Sequence, residues 1–431
     1  MLERHDIFAR SRRHSLLIGI YDAKETQAGT HAHLNELRSL VKTLAISVNE
    51  SMSIMLKSIN PRYLIGNGKV DEIARKIADK KIDLVVFDCD ISPAQQRNLE
   101  NRWRTAVIDR QEVILDIFAV RATTREAVLQ ISLARMKYSL PRLTRAWTHL
   151  SRQQGGARGN RGKGEKQLET DRRLVLNKIS KLKRELKKIG NQRKLRRKRR
   201  LERPIPSASL VGYTNAGKSA LLNSISDSNV LVKNRPFATL DPTTRQFELR
   251  DGRELLITDT VGFIRKLPHD LIEAFKSTLE EALNADVLFL VVDASSIELD
   301  EHIRITNRVL RELNAGDKKR ILVLNKVDKL GKHTREELCM RYPDALLVSA
   351  RSGEGVEDLL KVFAETLDID YPIVTLNLPP SRWDLRAKLH RESTVLSEKY
   401  NDKRLVIRAR LSIRDRDRLH AYVTNCTFRG L

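Results

Sequence analysis

The pattern of apolar and polar positions predicts alternating strands and helices in the first 120 residues. Short apolar runs at Ser15–Tyr21 and Ile82–Asp88 are typical of buried strands. Apolar residues at helical spacing predict helices at His33–Leu44 and Val70–Lys80, and Ser92, followed by proline, is the expected N-cap of a third. This alternation favours an N-terminal α/β domain with a parallel sheet.

From about residue 110 the pattern becomes helical, with segments near Val113–Val120 and Thr124–Tyr138. The stretch Gln154–Glu165 contains five glycines among twelve residues, so we expect no regular element there. Gln167–Gly190 then predicts a long charged helix with a thin apolar stripe. Together these segments indicate a helical hairpin with a flexible cationic tip.

Strands and helices alternate again from Ser207 to Leu367, and a short module follows. In this module the pattern predicts, in chain order, a strand at Ile373–Leu378, a helix at Trp383–Leu396, a strand at Leu405–Leu411 and a helix at Arg414–Tyr422.

The net charge of +25 is concentrated in one region. Residues 151–203 contain 21 Lys or Arg and five Asp or Glu, an excess of 16 positive charges. Such a cluster indicates a polyanionic partner, nucleic acid being the commonest, although a solvated basic helix would give the same count. The sequence shows neither a membrane span nor a leader peptide, so we expect a cytoplasmic protein.

A phosphate-binding loop follows the apolar strand that ends at Val211. The segment Gly212–Ser219 has the pattern G-x-x-x-x-G-K-S and leads into a helix, so its backbone N–H groups can surround phosphates. Lys218 would neutralise the β- and γ-phosphates, and the Ser219 hydroxyl would bind Mg²⁺. The residues expected to contact the nucleotide here are Gly212, Tyr213, Thr214, Asn215, Ala216, Gly217, Lys218, Ser219 and Ala220.

Three further strings, in order along the chain, indicate guanine rather than adenine. Asp259-Thr-Val-Gly262 follows a strand; Asp259 can hold Mg²⁺ through a water, and the Gly262 N–H can sense the γ-phosphate. Asn325-Lys-Val-Asp328 follows the next such strand. Asp328 can accept from guanine N1–H and N2–H₂, which adenine lacks, while Asn325 braces the loop and the Lys326 stem covers the ring. In Ser349-Ala350, the Ala350 N–H can donate to guanine O6.

The magnesium-sensing threonine must lie between Ser219 and Asp259. Thr239 is our choice, with Thr243 and Thr244 as alternatives. Lys218, Thr239 and Gly262 are therefore the expected catalytic residues. Phe263 stands where many GTPases have a glutamine that orients the attacking water, so we expect slow intrinsic hydrolysis that needs a group supplied elsewhere.

The resulting expectation is an N-terminal α/β domain (1–120), a helical hairpin (121–203), a P-loop G domain with a mostly parallel sheet (204–368) and a small C-terminal α+β module (372–431).

With these motifs the chain resembles the HflX family of ribosome-associated GTPases. The resemblance covers about residues 15 to 370 and is looser beyond. Besides the nucleotide motifs it rests on Phe237–Thr243, Tyr63–Lys69, Ser92–Arg97, Val107–Arg110, Ile114–Phe118, Gly164-Glu165, Gln167–Glu169 and Asp171–Arg173.

The resemblance implies a target, the large ribosomal subunit and its rRNA, and a role in splitting stalled or idle ribosomes under stress. The hairpin tip and its base would contact RNA through Arg158, Arg161, Lys163, Arg172 and Arg173. At Ala157, Arg158 and Lys163 the tip departs from the usual family residues, which makes it more basic. We expect a monomer that uses GTP, GDP and Mg²⁺.

Two alternatives stay open on the sequence. One is a ribosome assembly GTPase that leaves when GTP is hydrolysed. The other is an RNA-binding or RNA-remodelling protein with an ATP-linked activity in its N-terminal domain.

Overall fold

The structure is a computed structural model that describes residues 14–21, 27–146, 161–200, 205–226, 242–248, 254–266, 285–370, 372–401, 404–411 and 413–427. The chain divides into two compact units. The described part of the first consists of residues 14–21, 27–146, 161–187 and 265–266, and the second contains the rest.

A four-stranded parallel sheet of order β2-β1-β3-β4 forms the centre of the first unit. Its strands are β1 (His14–Tyr21), β2 (Ser47–Met55), β3 (Leu84–Phe87) and β4 (Ala106–Asp109). The helices between and after them are α1 (Gln27–Thr43), α2 (Asn67–Asp79), α3 (Pro93–Trp103) and α4 (Arg110–Arg121).

The parallel sheet of this unit confirms the predicted fold class, but two strands were not predicted. β2 lies at the sheet edge, and most of its residues are only half-buried, so it lacks a continuous apolar run. β4 has only four residues. The fully buried β3, by contrast, is apolar throughout, as expected for a central parallel strand.

Two helices follow the sheet: α5 (Arg125–Ala146) and α6 (Arg161–Arg200). Leu133 of α5 and Ile179 and Leu182 of α6 share an apolar cluster, so the two helices pack together as the predicted hairpin requires. Three boundaries differ from the prediction. α5 continues past Pro141. α6 begins at Arg161, inside the segment for which we expected no regular element, and it ends at Arg200, beyond the predicted end at Gly190. A glycine costs a helix only about 1 kcal/mol, and extending an existing helix needs no new nucleus. Residues 154–160, with Ala157 and Arg158, lie outside the described residues.

Charged groups that pair with one another fill the carboxyl edge of the first sheet. Buried Arg110 donates from Nη1 to Asp88 Oδ1 at 2.6 Å and from Nη2 to Glu36 Oε2 at 2.7 Å. Although burial opposes the charge, Glu36 and Asp88 raise the pKa of Arg110. Lys266, in the same unit, donates from Nζ to the Asp88 carbonyl oxygen at 3.2 Å. Asp109 accepts from Arg142 Nη2 at 2.9 Å.

Side chains also cap two of the helices that begin at this edge, α3 and α4. The Ser92 hydroxyl accepts from the Gln95 N–H at 3.2 Å, and the Gln95 side chain accepts from the Ser92 N–H at 3.0 Å, which is a capping box on α3. Asp109 Oδ1 accepts from the Glu112 N–H at 2.9 Å and caps α4. First N–H groups of α3 and α4 are therefore satisfied from within the chain, whereas α2 begins at Gly66 with no side-chain cap.

The second unit begins with a six-stranded sheet of order β10-β9-β8-β5-β7-β6, parallel except for the edge pair β6–β7. Its strands are β5 (Ser207–Val211), β6 (Thr243–Glu248), β7 (Glu254–Asp259), β8 (Val287–Asp293), β9 (Arg320–Asn325) and β10 (Leu346–Val348). Its helices are α7 (Lys218–Ile225), α8 (Leu299–Glu312), α9 (Lys332–Arg341) and α10 (Val356–Asp370).

The C-terminal module is a four-stranded antiparallel sheet of order β12-β13-β11-β14. Its elements are β11 (Ile373–Leu378), α11 (Trp383–Glu392), β12 (Thr394–Asn401), β13 (Arg404–Arg410), α12 (Ile413–Arg418) and β14 (Val423–Thr427). The chain order strand-helix-strand-strand-helix-strand with this sheet order is the ferredoxin-like arrangement.

Both helices predicted in this module were too long. α11 ends at Glu392, and the next residues, including β-branched Thr394 and Val395, form β12. α12 has only six residues, and β14 follows after a short 3₁₀ turn. The apolar residues near Leu396 fit a helical spacing as well as a strand, so periodicity did not separate the two.

Candidate nucleotide site

The phosphate loop follows β5 at the carboxyl edge of the six-stranded sheet. Gly212 has φ +152°, and a Cβ there would lie 2.1 Å from the Val291 carbonyl oxygen. Gly217 has φ +91°, and a Cβ there would lie 2.2 Å from Asn325 Nδ2. Both positions therefore require glycine. At Gly212 a side chain would clash with the Val291 carbonyl of β8, and at Gly217 it would clash with the Asn325 side chain.

Helix α7 begins without a side-chain cap. Its N-cap is Gly217, which has no side chain to accept from the first N–H groups. These donors and the positive end of the helix dipole thus face the loop, which is the arrangement that binds phosphate. Asn215, Ala216 and Ala220 complete the turn around this helix start.

Lys218 is buried in the loop and bonded to it. Its Nζ donates to the carbonyl oxygens of Gly212 at 3.1 Å and Tyr213 at 2.9 Å. Burial lowers the pKa of Lys218 to about 8, and the negative charge of Asp259 opposes this shift. The ammonium is held by two carbonyl oxygens and lies beside uncapped N–H groups, so an anion bound there would be strongly stabilised.

The loop and the end of β7 bring two oxygen ligands together. Ser219 Oγ donates to Asp259 Oδ2 at 2.6 Å, and Asp259 is buried beside β5. A hydroxyl and a carboxylate are hard oxygen ligands of the kind that Mg²⁺ accepts from proteins in small number. These two residues therefore fit the metal that the sequence implied.

The predicted magnesium-sensing threonine, Thr239, lies outside the described residues. The alternatives Thr243 and Thr244 begin β6, where Thr243 is paired with Asp259 and Thr244 Oγ1 lies 2.9 Å from Thr258 Oγ1. The edge strand thus holds both alternatives in the sheet beside Asp259, one of the predicted metal ligands.

Gly262 and Phe263 lie against the phosphate loop. The Thr214 N–H donates to the Phe263 carbonyl oxygen at 2.7 Å, and the Phe263 N–H donates to the Gly212 carbonyl oxygen at 3.0 Å. A Cβ at Gly262 would lie 2.9 Å from Lys218 Nζ. The Phe263 side chain is 1% exposed, so its ring points into the core and not toward a reacting group.

The residues predicted to recognise the base converge on the other end of the loop. Buried Asn325 donates from Nδ2 to the Ala216 carbonyl oxygen at 2.8 Å and accepts from the Ala350 N–H at 3.0 Å. Ser349 Oγ donates to Asp328 Oδ1 at 2.7 Å, while Asp328 is exposed. Asn325 therefore ties three separate predicted strings into one site.

One residue of this site was missed on the sequence. Asp293, at the end of β8, accepts from Lys326 Nζ at 2.7 Å, and the same Nζ donates to the Asn215 carbonyl oxygen at 2.7 Å. Burial opposes ionisation, but hydrogen bonds from Lys326 and Ser295 lower the pKa of Asp293. Its position directly after an apolar strand, at the same edge as Asp259 and Asn325, was the available signal.

The predicted RNA contacts lie on or before α6. Arg172 and Arg173 are exposed on this helix. Arg161 and Lys163 fall in its first turn, where only the backbone is described, and Arg158 lies outside the described residues. Among the described helices none is long and apolar enough to cross a membrane.

Comparison with known families gives three consecutive matches. Residues 31–119 match the family described as GTP-binding GTPase N-terminal, 121–200 match GTP-binding GTPase Middle Region, and 207–326 match 50S ribosome-binding GTPase.

Curated relatives are similar over nearly the whole chain. A GTPase HflX of Akkermansia muciniphila is 44% identical over 423 residues, covering 95% of this chain and 97% of the relative. The GTPase HflX of Escherichia coli is 40% identical and covers 92% of each. Among solved structures, the SsGBP–GDP complex is 26% identical with a TM-score of 0.46, covering 83% of this chain and 98% of that one.

Proposed function

The chain belongs to the HflX family of GTPases and hydrolyses GTP, and on that premise we propose that it is a switch that binds the large ribosomal subunit and its rRNA and splits stalled or idle ribosomes. We propose that it works in the cytoplasm as a monomer. The observation that carries the guanine switch is the contact of Asn325 with both Ala216 and Ala350, which couples the base end of the site to the phosphate end.

At the base end, Asp328 selects guanine. Its carboxylate is exposed, and Ser349 orients it by donating to Oδ1. A carboxylate so placed accepts from N1–H and N2–H₂ of guanine, whereas adenine would leave it unpaired. Ala350 borders the base edge, where its N–H can reach O6, and the Lys326 stem covers the ring.

At the phosphate end, Lys218 and the uncapped N–H groups of α7 hold the β- and γ-phosphates. Ser219, Asp259 and Thr239 would hold Mg²⁺, which neutralises phosphate charge when bound. Gly262, packed on the Lys218 ammonium, is placed for its N–H to report the γ-phosphate.

The ribosome-binding half of the proposal rests on charge and on the family description. The middle region carries an excess of 16 positive charges over residues 151–203, and Arg172 and Arg173 are exposed there. With Arg158, Arg161 and Lys163 they supply phosphate contacts, which makes ribosome binding salt-sensitive.

Sedimentation of ribosomes tests the function. Purified protein is added to intact ribosomes with GTP, GDP or a non-hydrolysable GTP analogue, and the subunits are separated on a gradient. We expect free subunits with GTP and with the analogue, but not with GDP. Binding without release of subunits, followed by departure on hydrolysis, would instead identify an assembly factor.

Asp328→Asn tests the base assignment. The amide donates where the carboxylate accepted, so the variant should lose guanine preference and accept xanthosine triphosphate, whose C2 carbonyl is an acceptor. Recovery of subunit release by xanthosine triphosphate shows that the variant is folded. Unchanged GTP use by this variant contradicts the assignment.

Separate variants test whether RNA binding and GTP hydrolysis use different residues. Neutralising Arg158, Arg161 and Lys163 together should weaken ribosome binding and leave basal GTP hydrolysis intact. Lys218→Ala should remove nucleotide binding or turnover. An equal fall of hydrolysis and ribosome binding in the first variant contradicts this separation.

A further inference from the structure

The C-terminal sheet has one covered face and one open face. Leu376 of β11, and Leu405 and Ile407 of β13, are buried in an apolar cluster together with Leu385 and Leu389 of α11. The residues that alternate with them along the same strands point to the opposite face. In β13 these are half-buried Val406 and Arg410 and exposed Arg404 and Arg408.

The register identifies the neighbours on the open face. Arg408 is paired with Thr375 of β11 and Ser397 of β12, and Val406 with Asn377 and Lys399. Residues directly opposite in antiparallel strands share a face. The open face therefore carries Lys399, Arg404, Arg408 and Arg410 beside the small polar side chains of Thr375, Asn377 and Ser397.

This face carries positive charge without compensating carboxylates. Within the described parts of the four strands, the one carboxylate is Glu398, which is opposite Ile407 on the covered face and accepts from Arg386 Nη2 of α11 at 3.0 Å. Lys399, Arg404 and Arg408 form no ion pair among the described residues, and all three are exposed. These three cations lie on two adjacent strands and are therefore available to bind a ligand.

We propose that this open sheet face binds the phosphate backbone of RNA. The exposed arginines and lysine suit phosphate oxygens, and the hydroxyl and amide groups between them suit phosphate and ribose hydroxyls. The described open face presents no aromatic ring for stacking, because Trp383 and Tyr400 contact each other on the helix side of the sheet. Recognition here is therefore independent of base sequence and sensitive to salt.

The proposal goes beyond the switch function, because it assigns a second RNA site outside the middle region and outside the nucleotide site. Nothing in it requires GTP. The exposed side chains of the described open face are charged or polar, so it also differs from a membrane-binding surface, which inserts apolar side chains.

The test uses the full chain with two matched triple variants. The sheet variant is Lys399→Gln, Arg404→Gln and Arg408→Gln. The control variant, Lys42→Gln, Lys332→Gln and Lys361→Gln, removes the same charge from exposed residues of α1, α9 and α10. The probes are a single-stranded oligouridine, an RNA duplex and polyglutamate, measured by fluorescence anisotropy over a salt series.

We expect the sheet variant to lose about tenfold in affinity for both RNAs and its salt slope to fall by about 2, since each single-strand phosphate contact contributes roughly 0.7. The control variant should lose less than about twofold. A thiouridine-labelled RNA should crosslink to peptides of β12 and β13 in the unmodified chain. Equal losses in the two variants, or no loss with no such crosslinks, overturn the proposal.

The remaining outcomes are also decisive. Loss of polyglutamate binding with RNA binding retained identifies an acidic protein as the partner and overturns the RNA assignment. GTP hydrolysis should be unchanged in the sheet variant, which reports that the nucleotide-binding domain is folded, and unchanged hydrogen exchange of the β11 amides reports that the C-terminal sheet is folded. Subunit release in the sedimentation assay is read separately, so failure of the switch function and failure of this site give different results.

Discussion

Helices α3 and α4 of the first sheet and α7 of the six-stranded sheet differ in how their first N–H groups are satisfied. In the first sheet, Ser92 and Asp109 cap α3 and α4 with their own side chains. In the six-stranded sheet, α7 begins at Gly217 with no side-chain cap. A capped helix has used its first donors, whereas an uncapped one offers them to an anion.

The charges at the two edges follow the same division. Arg110 forms ion pairs with Asp88 and Glu36, so its positive charge is already neutralised within the chain and is not available to a ligand. Lys218, by contrast, is buried and bonded only to carbonyl oxygens in the described residues, and Ser219 and Asp259 meet beside it. An uncapped helix start alone does not make a nucleotide site, because α2 also begins at an uncapped glycine. In the six-stranded sheet the uncapped start of α7 is combined with a buried lysine that bonds only carbonyl oxygens among the described residues.

The largest effect is expected from breaking the buried ion cluster of the first sheet. Arg110→Met removes the buried cation that pairs with buried Asp88 and half-buried Glu36, and it should destabilise this unit by about 3–5 kcal/mol. Hydrogen exchange of the β3 amides measures the loss locally. The control Arg102→Met removes an exposed pair with Asp71 and should leave the free energy of unfolding nearly unchanged. Equal losses of unfolding free energy in Arg110→Met and Arg102→Met would contradict the stabilising role of the Arg110 ion pairs.

Next in size is the glycine that shapes the phosphate loop. Gly212→Ala places a Cβ against the Val291 carbonyl and should cost about 3 kcal/mol, with GDP affinity falling accordingly. Calorimetric titration with GDP and hydrogen exchange of β5 measure it. Gly68→Ala in α2 meets nothing within 4 Å and should be neutral or stabilising. A Gly212→Ala protein with normal GDP affinity would contradict the required close approach.

Asp116 is a buried carboxyl group of the first unit, and a pH series tests its effect on the free energy of unfolding. Burial raises the pKa of Asp116 to about 6 against the opposing charge of Arg135, and its Oδ2 has no hydrogen-bond partner among the described residues. Because the folded-state pKa lies above the unfolded value, this group favours folding below about pH 4, and the advantage is lost as pH rises to about 6.

Asp116→Asn removes this dependence. Between about pH 4 and 6.5, the free energy of unfolding of the unmodified unit should fall by about 2 to 3 kcal/mol relative to the variant. Hydrogen exchange of α4 amides at several pH values measures the difference, and Asp71→Asn, an exposed site, is the control. Parallel pH profiles for Asp116→Asn and the unmodified chain would refute the assignment.

The smallest effect is expected at a helix cap. Ser92→Ala removes the capping box of α3 and should cost about 1 kcal/mol. Ser39→Ala in α1, where the hydroxyl donates to the Asn35 carbonyl, should cost only a few tenths. GDP affinity should be unchanged in both, since neither residue belongs to the nucleotide site. An equal loss of stability in Ser39→Ala and Ser92→Ala would contradict the stabilising role of the Ser92 cap.

The nucleotide motifs could be predicted from the sequence because each is a contiguous string after an apolar strand. Asp293 was missed because a single carboxylate at a strand end forms no string, although it holds Lys326. The pairs Arg110–Asp88 and Arg110–Glu36 span 22 and 74 positions, and only the folded sheet brings them together. The edge strand β2 and the strand β12 were missed because half-buried or ambiguous patterns do not determine a period.

The burial of Phe263 has a consequence for how this enzyme can change over evolutionary time. Its ring is part of the core and its backbone is bonded to the phosphate loop on both sides. A glutamine introduced there would bury an amide among apolar groups and disturb the loop, instead of pointing at a water. A single substitution at Phe263 is therefore not expected to speed up GTP hydrolysis. Selection for a faster hydrolysis rate has to act on the surface that supplies the missing catalytic group.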